Sequence, residues 1–200
     1  MRAPVPAGLG LALALGVGAS ALAPSRARAE PPELFAGVFD PPREAPAFSL
    51  GGSDGQPISL ERFRGKIVVL AFGFTSCPDV CPTTLATLAG ARRALGPAAA
   101  DVQVVYVTVD PQRDDAKRMR EYLVAFDPAF LGATGSAEDL AKVREAYGVA
   151  AERVARAKTY AFSHSSFTYL VDRTGKLRAL MPYGHAANDY AHDLRILLGS

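Results

Sequence analysis

Cysteine is scarce in this chain: Cys77 and Cys81 are the only two in 200 residues. That excludes a framework of several disulfides. A bridge between the two would close only three intervening residues and remove little chain entropy, so the pair is a poor structural staple. An excess of one charge is also lacking. If Arg2, Arg26 and Arg28 leave with a leader, the 22 basic residues fall to 19 against 20 acidic ones. Near-neutrality argues against nucleic acid or anionic lipid as the main partner. No cysteine lies near the N-terminus, which excludes a lipid-modified start. No internal repeat and no second domain is visible.

Residues 1–29 read as a signal peptide. Arg2 supplies the positive start, residues 5–23 an apolar run, and Ala27-Arg28-Ala29 a small-x-small cleavage site. Left uncut, the run is long enough to serve as a membrane anchor. Either form exports the folded part to a periplasmic or other extracytoplasmic space, free or anchored to the inner membrane. Residues 30–45, rich in Pro and Ala, read as an extended linker. Residues 46–200 are enough for one domain with a single core.

Within that domain, Ala47-Phe48-Ser49-Leu50 and Pro57-Ile58-Ser59-Leu60 flank a glycine-rich turn and predict a hairpin. Residues 67–72 and 102–109 are continuous apolar runs, as strands buried on both faces require. Between them Leu85, Leu88, Ala91 and Leu95 recur at helical spacing, stopped by Gly96-Pro97. Asp114 is placed to cap a helix whose inner face is Met119, Tyr122, Leu123 and Phe126. Ser136 and Asp139 open another, with Leu140, Val143 and Tyr147 inward. Residues 167–171 and 176–181 predict a second hairpin, and a last helix runs from about Asn188. The expected fold is α/β: a thioredoxin-like central mixed sheet flanked by helices, with an extra hairpin at the front.

The two cysteines lie in Phe72-Gly73-Phe74-Thr75-Ser76-Cys77-Pro78-Asp79-Val80-Cys81-Pro82, between an apolar strand and a helix. A strand–turn–helix delivers Cys77 to a helix N-terminus, where backbone partial charge favours thiolate. One turn on, Cys81 faces the same side. Two such thiolates close a disulfide, hold a soft metal, or alternate between the two as a redox dithiol. His185 is explained by its turn and His192 by a solvent-facing helix. His164 lies just before the third core strand, where thioredoxins put a cis-proline against the cysteine turn; here no proline occurs between Pro128 and Pro182. Cys77, Cys81 and His164 would form a three-ligand soft site suited to Cu(I), and able to take Cu(II) or Zn(II). Structural zinc wants four protein ligands, so copper is the better fit.

Residues 73–85, with Val109-Asp110-Pro111-Gln112-Arg113-Asp114, Tyr160, His164-Ser165 and Tyr169-Leu170, resemble the Sco/SenC family, whose blocks follow in this order. The resemblance implies a copper chaperone acting outside the cytoplasm. It implies Cys77, Cys81 and His164 as copper ligands and delivery to the dinuclear copper centre of cytochrome c oxidase, on subunit II. A second periplasmic copper chaperone or a thiol reductant would be a further partner. The family commonly has Asp where this chain has Ser163; Asp79 matches and reads as an exposed charge for a partner. The rival reading on the same fold is an extracytoplasmic thiol–disulfide oxidoreductase with Cys77 and Cys81 as the redox pair. Peroxidase chemistry wants threonine three residues before the reactive cysteine, and Phe74 stands there.

Overall fold

All seven residues of one strand, Ile67–Gly73, are buried, and the fold is built outward from it. A computed structural model describes Met1 and residues 33–157 and 159–199. The expected leader therefore lies, apart from Met1, outside the described residues. The strands and helices, in chain order, are β1 (Gly37–Glu44), β2 (Leu50–Gly52), β3 (Pro57–Ile58), β4 (Ile67–Gly73), α1 (Val80–Leu95), β5 (Val102–Thr108), α2 (Ala116–Leu123), β6 (Leu131–Thr134), α3 (Ala137–Ala146), β7 (Ala151–Arg156), β8 (Thr159–His164), β9 (Thr168–Val171), β10 (Lys176–Met181) and α4 (Ala187–Leu198).

Eight strands form a mixed sheet in the order β1-β10-β9-β4-β5-β6-β2-β3. β4 lies parallel to β5, from Ile67 opposite Val102 to Gly73 opposite Thr108, and antiparallel to β9. Being covered on both faces, these central strands carry no polar alternation: Val69, Leu70, Val105 and Leu170 are each 0% exposed. Truncating such a leucine to alanine costs about 2–5 kcal/mol. α1 turns Leu85, Leu88 and Ala91 inward and packs against α4. The front hairpin, β2 with β3, joins the sheet through β6. This is the thioredoxin-like α/β arrangement expected, with its extra hairpin.

Three details depart from the sequence reading. The Pro/Ala-rich stretch assigned to a linker is extended, yet Gly37–Glu44 is an edge strand paired antiparallel with β10. Just before it Ala36 is buried, and the Asp193 carboxylate accepts from the amides of Phe35 and Ala36, both at 2.9 Å. The cap of α2 is Asp115, which accepts from the Arg118 amide at 2.7 Å; Asp114 is turned into the core instead. Last, β7 and β8 pair with each other alone, as a two-stranded ribbon outside the main sheet. Among the described residues no helix is long and apolar enough to cross a membrane.

Candidate metal centre

The cysteine turn leaves the carboxyl end of β4, where open α/β sheets put their ligands. Its shape is set by a buried carboxylate. Asp114 accepts from the Thr75 amide (2.9 Å), the Thr75 hydroxyl (2.6 Å) and the Thr108 hydroxyl (2.7 Å). Arg118 Nε in turn donates to Thr75 Oγ1 at 3.1 Å. The turn is thereby tied to the end of β5 and the entry of α2. Cys77 closes it, its amide donating to the Phe74 carbonyl at 3.3 Å.

α1 begins at Val80, and its first turn aims the Cys81 amide at Cys77 Sγ, 3.5 Å away. Both thiols are free, Cys77 half-exposed and Cys81 2% exposed. Burial, the largest cause, pushes the Cys81 thiol up to about 12. Asp79 is exposed, as is Ser163.

His164 ends β8, 83 residues from Cys81 in sequence, and its Nε2 comes to 3.5 Å from Cys81 Sγ. Its Nδ1 lies 2.8 Å from the Ser165 carbonyl. A carbonyl only accepts, so Nδ1 carries the proton and Nε2 presents a lone pair toward the sulfur. Phe74 packs edge-on against the imidazole at 6.1 Å and against Phe162 at 5.7 Å. The cleft between Cys81, His164, Tyr106 and Phe167 has about 10 Å³ of free space. That is the scale of one ion or one water.

The ribbon that carries His164 is held at its other end by Tyr160. The Tyr160 hydroxyl donates to Asp110 Oδ1 at 2.9 Å, and Arg113 pairs with the same carboxylate and donates to the Tyr160 carbonyl at 3.1 Å. The Arg113 and Arg153 guanidiniums both lie on the Tyr160 ring, 3.9 and 3.6 Å from its centroid. Sequence reasoning singled out Asp110, Arg113 and Tyr160 as parts of motifs without a task, and did not single out Arg153; the contacts make all four the ribbon's fastening.

Of the expected ligands, Cys81 and His164 are brought together, and Cys77 Sγ lies beside Cys81, against its amide. Among the described residues no three His, Cys, Asp or Glu side chains are already gathered to hold a metal ion. The other histidines are elsewhere. His185 Nδ1 lies 3.2 Å from Asp189, beside a larger cleft of about 240 Å³ that contains no cysteine. His192 Nδ1 lies 3.1 Å from Asp193, its ring 4.7 Å from that of Phe35.

The sequence model of the SCO1/SenC family matches residues 39–199, the whole sheet from within β1 to the end of α4. The chain belongs to the SCO1/SenC family. Among its SCO1/SenC relatives, a SCO2-like protein of Rickettsia conorii is 36% identical over 132 residues, 64% of each chain. The chain thus spans under two thirds of that relative's length. A putative copper-binding protein of Stutzerimonas stutzeri is 37% identical over 150 residues, 72% of each. The structure of Bradyrhizobium japonicum ScoI with copper bound superposes with a TM-score of 0.72 at 34% identity, covering 77% of this chain and 99% of that one.

Proposed function

We propose that this SCO1/SenC protein is a copper chaperone of cytochrome c oxidase assembly. With both thiols reduced it takes one copper ion on Cys77 Sγ, Cys81 Sγ and His164 Nε2. It then passes the ion to thiol and imidazole ligands of the oxidase's dinuclear centre on subunit II, outside the cytoplasm.

The observation that carries this reading is the 3.5 Å approach of Cys81 Sγ to His164 Nε2, with the Nε2 lone pair turned toward the sulfur. A sulfur and a nitrogen bound about 2.3 and 2.0 Å from one ion stand roughly 3.5–3.7 Å apart. The pair already has the separation that a shared ion demands. Soft thiolates with an imidazole suit Cu(I). Cys77 completes the set by rotating about its own side-chain bonds, and its half-exposure leaves one face open to an incoming ligand. That the related ScoI structure holds copper supports copper as the ion.

The test is Cu(I) titration of the reduced protein in competition with a chelator, with the bound ligands counted by X-ray absorption. One equivalent on two sulfurs and one nitrogen is expected. His164→Ala should lose the nitrogen and bind at least about tenfold more weakly, with its fold unchanged. Dithiol–disulfide exchange of full rate, with no tight copper in the wild type, would assign the site to an oxidoreductase instead.

A further inference from the structure

Tyr106 stands on β5 with its side chain 1% exposed, and its hydroxyl, though it faces the Cys81 sulfur, has no partner in full hydrogen-bond geometry among the described residues. A buried hydroxyl without a partner is destabilising, and a phenylalanine would fill the same space without that cost. The hydroxyl lies beside the Cys81 sulfur, where it favours the ionised form. The two meet over Gly73, where a Cβ would come within 2.8 Å of both Cys81 Sγ and Tyr106 Cζ and would collide with the hydroxyl itself. Only glycine lets the phenol and the sulfur approach each other.

The chemistry of sulfur accounts for the orphan. A neutral thiol is a weak acceptor, whereas a thiolate, free or metal-bound, accepts strongly. We infer that Tyr106 is a positioning residue for the metal-bound thiolate, its O–H donating to Cys81 Sγ once an ion has displaced the thiol proton. The identity of that ion as copper rests on the proposed function; the hydrogen bond does not. His164 lines the same small cleft, its Nε2 3.5 Å from that sulfur, so one thiolate would meet both the imidazole and the phenol.

A tyrosine hydroxyl without a role in the site serves as the control. Tyr122, on α2, also has a buried hydroxyl with no partner, and its ring lies 6.4 Å from that of Tyr106. Tyr106→Phe and Tyr122→Phe each remove one orphan, so each should leave the metal-free protein folded and melting no lower than the wild type.

The experiment loads the reduced wild type and both variants with Cu(II) and, separately, with Cd(II), which binds paired thiolates with or without an imidazole. Thiolate-to-metal charge transfer and affinity are then measured. Without its hydrogen bond the sulfur lone pair rises in energy. Tyr106→Phe should therefore move the charge-transfer band of both metals to longer wavelength and weaken binding about 10–100-fold. Tyr122→Phe should do neither. Unmoved bands and affinities in Tyr106→Phe, or equal shifts in Tyr122→Phe, overturn the inference. A wild type that fails to bind copper, with the cadmium band still moved by Tyr106→Phe, sinks the copper reading and leaves the hydrogen bond standing.

Discussion

Burial pushes the Cys81 thiol up to about 12 because the sulfur is almost wholly out of water. A thiol in the unfolded chain ionises near pH 8.5. The folded state therefore keeps a proton that the unfolded state gives up. The stability linked to it is full below about pH 8.5 and is lost as pH rises toward 12, by at most about 1.4 kcal/mol per pH unit. Urea denaturation of the reduced, metal-free protein between pH 7 and 10.5 should show that decline. Cys81→Ala should be flatter by the same slope; parallel curves would show the sulfur is not the cause. A metal ion takes thiolate, so binding at Cys81 must expel this proton to solvent; on the proposed reading the His164 Nε2 lone pair at 3.5 Å is taken up by the ion itself.

At the scale of elements, the cysteine turn and the start of α2 are one unit joined through Asp114. Three donors converge on that carboxylate, and removing it leaves all of them buried without an acceptor. Asp114→Ala should cost about 2–4 kcal/mol in urea denaturation. A loss below about 0.5 kcal/mol would mean the turn holds its shape without it. This contact was not legible in the sequence, because Asp114 and Asp115 are equally good caps when read locally. Which one faces inward is decided by Thr75, 39 residues away. The long strands β4 and β5 and the helices α1 and α3 were legible, since unbroken apolar runs and 3.6-residue spacing are local signals. β6 was not: Leu131–Thr134 is four residues, two of them Gly and Ala. The β7–β8 ribbon escaped too, because it packs mainly against itself and leaves Glu152, Arg153 and Arg156 exposed. His164 was found from the missing proline and the pairing with two cysteines, whereas Tyr106 on a buried strand looks like any core aromatic.

At the scale of the whole molecule, the segment before β1 is closed onto α4 by Asp193. The buried carboxylate takes two backbone amides and faces His192. Asp193→Ala should lower the melting temperature and speed amide exchange at Phe35 and Ala36, while copper affinity stays as it was. Unchanged exchange there would show that the edge pairing of β1 suffices alone. The same molecule treats its two sulfurs unequally, one half in water and the other sealed beneath an imidazole. On the proposed reading this gives traffic a direction: cargo arrives and departs by way of Cys77. A receiver must therefore present itself head-on to that one doorway, one receiver at a time, and the inner sulfur is the last to let go.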